Sequence, residues 1–260
     1  MRYFIETSYK GTAYSGFQVQ QNANTIQAEI EKALSVYFKE KFSLTGSSRT
    51  DAGVHALQNF FHFDTGSFYQ KIEDDRENGI PGLQLEESVY HLNAILPRDI
   101  VISRIFRVAD EAHCRFDAIS REYQYFIYRK KNPFLEQTAF YYPYKLDIEK
   151  LNEAAHVVLN ESDFTSFSKK NTQVNNFICH IKKSEWIFEN GMLGYHVEAN
   201  RFLRGMVKGL VGTMLRVGTQ KISVAQFENI IKSRDCSRAD FSVPPHGLFL
   251  VKVHFDGIDF

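Results

Sequence analysis

The segment 46–57, GSSRTDAGVHAL, gathers Arg49, Asp51 and His55 among small residues between two apolar stretches. A carboxylate held in such a place can act as a nucleophile or a base, and a guanidinium can bond phosphate and stack on a flat ring. The run Asp51-Ala52-Gly53 suits a tight turn, with Gly53 able to take positive φ. That turn would present the Asp51 carboxylate at the rim of a cleft. The ordinary alternative is a loop whose aspartate accepts backbone N–H bonds and whose arginine is surface charge.

A second concentration is positive. Residues 199–218 hold Arg201, Arg204, Lys208 and Arg216 with no acid. At about 100° per residue, one helix over 201–217 would bring these four within about 120° of one another. Leu203, Met206, Val207, Leu210 and Met214 would lie opposite. Gly205, Gly209 and Gly212, on or beside the basic face, would let a phosphate backbone or another sheet approach. A solvated face is the bland alternative, but no acid interrupts the stripe. His113-Cys114 and Cys179-His180 are adjacent pairs without zinc-site spacing, so no metal centre is expected. There is no phosphate loop and no dinucleotide fingerprint. The pairs Lys169-Lys170 and Lys182-Lys183 and the run 129–131 read individually as solvated charge.

The elements that must position these groups follow from periodicity. Strands are predicted over 2–9, 58–64 and 100–107, with a short strand at the start of the 43–57 loop. A helix capped by Asn24, with Gln27 completing a capping box, carries Ile26, Ile30, Ala33, Leu34 and Tyr37. A short helix is predicted over 86–95, and the acidic stretch 70–87 reads as an exposed loop. The pattern then recurs: a strand over 121–129, a helix capped by Asp147, paired strands over 179–188 and 193–199 turning at Asn190-Gly191, the 201–217 helix, a helix over 224–233 capped by Ser223 with Gln226, and a strand over 247–255. Each half reads β-α-β-β-α-β. The expected class is α+β: two ferredoxin-like halves, 1–108 and 109–260, with antiparallel sheets packed together around a central cleft. That order serves many activities and assigns none.

Composition narrows the classes. The 260 residues are 43% hydrophobic and 24% charged, enough for a buried core. No run approaches the roughly 18–20 apolar residues that span a bilayer. Glu6 comes too early for a signal peptide, and three cysteines make no disulfide framework, so a reduced cytoplasmic protein is expected. The charge balance, 31 basic against 31 acidic residues, argues against binding nucleic acid through bulk charge. Residues 73–87 alone hold six acids and one arginine, however, and the remainder carries a net +5.

Arg49-Thr50-Asp51-Ala52-Gly53-Val54-His55-Ala56 resembles the signature of the tRNA pseudouridine synthases of the TruA type. Supporting matches run along nearly the whole chain: Tyr9-Lys10-Gly11-Thr12, Ser15-Gly16-Phe17-Gln18, Leu96-Pro97-Arg98-Asp99-Ile100, Arg121-Glu122-Tyr123-Gln124-Tyr125, Asp163-Phe164-Thr165-Ser166-Phe167, the 199–218 segment and Gly247-Leu248. The resemblance implies isomerisation of uridine to pseudouridine at positions 38, 39 and 40 of the tRNA anticodon arm, without metal or cofactor. It implies that Asp51 is the catalytic carboxylate, that Arg49 enters the space left by the flipped base, and that Tyr123 stacks on the target uracil. It also implies a homodimer with tRNA lying across both subunits. Arg201, Arg204 and Arg216 would meet RNA phosphate.

Three features depart from the family pattern. Lys208 stands where an arginine commonly pairs with the catalytic aspartate, Ser47-Ser48 replaces small apolar residues, and the acidic 70–87 segment is long. The rivals are a tandem ferredoxin-like RNA-binding protein without catalysis and a synthase acting on another RNA.

Overall fold

The computed structural model describes residues 1–64, 83–170, 174, 176–189 and 191–256. The chain divides into two compact units, Met1–Ile119 with Lys252–Phe260, and Ser120–Val251. The division comes after Ile119 rather than at 108. Residues 109–119 stay with the first unit because the backbone N–H of Cys114 donates to buried His62 and the Arg2 guanidinium donates to the Ala112 carbonyl. Among the described residues no helix is long and apolar enough to cross a membrane.

In the first unit, β1 (Arg2–Tyr9) lies between β3 (His55–Asp64) and β4 (Ile100–Val108), antiparallel to both. The short β2 (Thr45–Gly46) pairs with β3. Two helices, α1 (Ile26–Phe38) and α2 (Leu83–Ile95), bury Ile30, Leu34 and Leu92; on the sheet Phe4 and Phe60 meet Phe255 on one face, and Phe61 and Phe63 point to the other. The side-chain amide of Asn93 bonds both the N–H and the carbonyl of Ile102, each at 2.8 Å, and so fastens α2 to the sheet. The cap of α1 is Thr25, not Asn24: its hydroxyl accepts from the Ala28 N–H. Gln27 instead reaches across to Leu44 and Glu31, which ties the helix to the strand that follows. Residues 83–85, expected in the loop before the helix, already belong to α2; the acidic stretch 70–82 lies outside the described residues.

In the second unit the strand order is β9-β5-β8-β7, with β5 (Ala118–Tyr128), β7 (Ile181–Glu189), β8 (Met192–Ala199) and β9 (Leu248–Phe255), of which Ala118–Ile119 and Lys252–Phe255 belong to the first unit. A two-residue strand, β6 (Phe140–Tyr141), pairs parallel with β5 and was not foreseen. Helix α3 (Ile148–Leu159) is capped by Asp147, and Asn152 bonds both the N–H and the carbonyl of Trp186, the same fastening as Asn93 provides in the first unit. Helix α5 (Val224–Lys232) carries the expected Ser223–Gln226 capping box. Asn190 of the β7–β8 turn is outside the described residues, while Gly191 has φ +77°.

Helix α4 spans Met206–Gly218, not 201–217. Gly205 takes φ +77°, a left-handed conformation that no helix propagates through, so Arg201 and Arg204 precede the helix. The glycines also serve a different purpose from the one expected. A Cβ on Gly212 would stand 2.2 Å from the Asp240 carbonyl oxygen, and one on Gly209 would stand 2.8 Å from the Phe241 ring. They admit the chain at 240–241 onto the helix and are filled by protein.

Candidate active site

The loop after β2 is tied to the sheet residue by residue. The Ser47 N–H donates to the Phe60 carbonyl at 2.8 Å. Buried Asn59 on β3 donates to the Ser48 carbonyl at 2.9 Å and to the Tyr9 hydroxyl at 3.1 Å. That hydroxyl lies 2.8 Å from the Thr50 hydroxyl. The Thr50 carbonyl accepts from the Phe17 N–H at 3.1 Å. Asp51 then opens a turn closed by the Val54 N–H on its own carbonyl at 3.1 Å, with Gly53 at φ +77°.

The motif fragments scattered through the first hundred residues meet here. A Cβ on Gly11 would fall 2.0 Å from the Val54 carbonyl oxygen, so only glycine lets that strand end lie against the loop. The Gly11 N–H donates to Nδ1 of His55 at 3.0 Å, which makes that nitrogen an acceptor and the ring neutral. Gly16 sits at φ +110° beside Thr50 and Ala52. Phe17 stacks on Phe61 with centroids 4.5 Å apart. Asp99 accepts from the Tyr14 hydroxyl at 2.6 Å, and its carbonyl accepts from the Lys10 N–H at 2.9 Å.

Thus Ser48, Thr50, Val54 and His55 are buried, Asp51 is half-exposed and Arg49 is exposed. The hydroxyls of Ser47 and Ser48 are buried without a hydrogen-bond partner among the described residues. Their surroundings suit the small apolar residues they replace. Asn59 was overlooked at the sequence level. Its place between Gln58 and Phe60 gives no sign of these partners, which depend on which strand lies alongside.

In the second unit Tyr123 lies on β5 opposite Val197, half-exposed, its ring edge-on to Phe202 at 4.9 Å. Arg121 donates to the Asn200 carbonyl at 3.1 Å. Lys208 and Arg216 are the half-exposed residues of otherwise buried α4. Arg204 is exposed, its carbonyl held by the Lys169 N–H at 3.0 Å. Arg201 is half-exposed. Burial pushes the Cys179 thiol up to about 11, with the positive charge of Arg201 opposing the rise. The expected single basic face is therefore two pieces: Arg201 and Arg204 on the entry segment, Lys208 and Arg216 on the helix.

Comparison with known proteins gives one family. A family model described as tRNA pseudouridine synthase matches residues 6–117 and 154–256. Proteins named tRNA pseudouridine synthase A from Parabacteroides distasonis and Porphyromonas gingivalis are 41% and 42% identical over 254 residues, spanning 98% and 97% of this chain and 96% of each relative. One of the same name from Staphylococcus aureus is 33% identical over 258 residues, spanning 98% of this chain and 92% of that protein.

Proposed function

The chain belongs to the tRNA pseudouridine synthase family, whose members are isomerases that make pseudouridine in tRNA, and from that premise we propose that it acts at positions 38, 39 and 40 of the anticodon arm with Asp51 as its essential carboxylate. The reaction conserves atoms. The C1′–N1 bond breaks, the uracil turns, a C1′–C5 bond forms, and the base loses its C5 proton while N1 gains one. A carboxylate serves either by attacking C1′ or by removing a sugar proton on a route through a glycal.

One observation carries the assignment of Asp51. It is a half-exposed acid on a turn whose neighbours are buried and hydrogen-bonded to three separate segments. Attack at a single carbon needs a carboxylate fixed in this way, since misplacement by about 1 Å costs about a hundredfold in rate.

The remaining roles follow the family. Arg49 fills the gap left by the flipped base, which costs a few kcal/mol to extrude. Tyr123 stacks on the uracil, and Arg201, Arg204 and Arg216 neutralise phosphate. Lys208 adds positive charge for substrate binding. It is the third residue of α4, where the helix dipole disfavours a cation by about 0.3–1 kcal/mol, and such a local cost is retained where function needs the charge. Each unit is read as a ferredoxin-like half. The order β4-β1-β3, with β2 on β3, and the order β9-β5-β8-β7 support that reading. A cytoplasmic homodimer that needs no cofactor or metal completes the proposal.

The test is pseudouridine mapping of RNA from cells with and without the protein. Loss confined to positions 38–40 of tRNA is expected. Loss at uridines in another RNA, with the anticodon arm unchanged, would overturn the target assignment.

A further inference from the structure

We propose that a groove on the first unit, beside the Asp51 loop, binds an unpaired nucleotide of the RNA substrate, with Phe116 as the stacking face and Arg115 holding phosphate. The inference rests on the tRNA reading above and adds a subsite to it. The groove encloses about 180 Å³, and Gln18, Gly46, Arg49, His113, Arg115 and Phe116 are among its lining residues. No acid lines it.

Single exposed phenylalanines are common and need no explanation. Phe116 differs in its setting. It is 74% exposed, and its ring is backed by His113, with centroids 4.2 Å apart. His113 in turn stands edge-on to buried His62 at 4.5 Å. The Asp117 carboxylate accepts from the His113 N–H at 2.7 Å, and the Phe116 N–H donates to the His113 carbonyl at 3.1 Å. This turn holds the ring outward before any ligand arrives, so little ordering cost remains on binding. Asp117, the acid nearest in sequence, is spent on the turn. The Arg115 guanidinium lies over the Phe116 ring, its carbon 5.8 Å from the centroid. An aromatic ring that carries a guanidinium offers a base a surface to stack on and its phosphate a cation, the pairing that single-strand binders use. The nucleotide must be unpaired, because bases in a stem have their faces covered.

The experiment measures tRNA binding and pseudouridine formation with the full chain. Wild-type protein is the first arm: absence of product there would sink the tRNA reading itself and not only the groove. With product established, Phe116→Ala should weaken tRNA binding about tenfold, the loss appearing in KM. Phe116→Trp should restore it. Arg115→Gln should lower the dependence of log K on log salt by about 0.7. Tyr90→Ala, which removes a ring 72% exposed on α2 outside the groove, should bind as wild type. Wild-type affinity in Phe116→Ala together with a wild-type salt slope in Arg115→Gln would overturn the proposal. So would a Phe116→Ala variant that changes the sedimenting mass of the protein while binding tRNA normally, since the groove would then be an interface between copies. Should Phe116→Ala fail to fold, the Arg115→Gln slope decides alone.

Discussion

Lys208 and Ser48 break local rules in opposite senses. A lysine in the first turn of α4 faces the positive end of the helix dipole, with no acid in that turn to offset it. If that charge serves the reaction and not binding alone, Lys208→Met should lower turnover at saturating tRNA at least tenfold, whereas Lys208→Arg should keep most of it. Equal turnover in the two variants, with only affinity lost, would make Lys208 a phosphate contact. Ser48 carries a buried hydroxyl with no partner among the described residues. Ser48→Ala removes that group and should raise unfolding free energy by about 1 kcal/mol in urea titration. A loss of similar size would mean that the hydroxyl has a partner in solution. Asp51, Arg49 and Tyr123 stand out in the sequence through the motifs that contain them. Asn59 and the acceptor role of His55 could not, because each depends on which strand lies alongside.

Helix α4 shows where element prediction fails and why. Apolar periodicity continues smoothly through 203, 206, 207, 210 and 214, so it gives no hint of the break at Gly205. One residue at positive φ outweighs the pattern. Caps with short reach were easier: Asp147 and the Ser223–Gln226 box sit where the residue types put them. The glycines of α4 had two readings in sequence, and only the position of the 240–241 segment separates them. Ala for Gly in an open helix stabilises by up to about 1 kcal/mol. At Gly212 the sign should reverse, because the new Cβ meets the Asp240 carbonyl 2.2 Å away. Gly212→Ala should therefore cost about 1–3 kcal/mol by thermal or urea unfolding. A neutral or stabilising result would show that segment 240–241 yields easily.

At the scale of the whole molecule, neutral net charge hides local specialisation, and stability should depend on pH through a buried imidazole. Burial holds His62 down at about 4 from its ordinary 6.5. The folded protein therefore refuses a proton that the unfolded chain accepts between those values. Stability is fully present above pH 6.5 and falls as pH drops toward 4, by about 3 kcal/mol. His62→Asn should flatten that window and leave the loss at lower pH, where the Asp64 carboxylate paired with Arg2 takes up its proton. An unchanged slope in the variant would assign the dependence to other groups. The mixed α+β class and the family signature could both be read in sequence. The place of residues 109–119 could not, since it depends on long-range contacts to His62 and Arg2. The central claim is that this chain makes pseudouridine in the anticodon arm through Asp51. The direct measurement compares purified wild type with Asp51→Asn on tRNA carrying labelled hydrogen at uridine C5, following label release and tRNA binding together. Wild type should release label from positions 38–40, and the variant should release none while binding tRNA within about tenfold of wild type, or 1.4 kcal/mol. Substantial release by the variant would contradict the account.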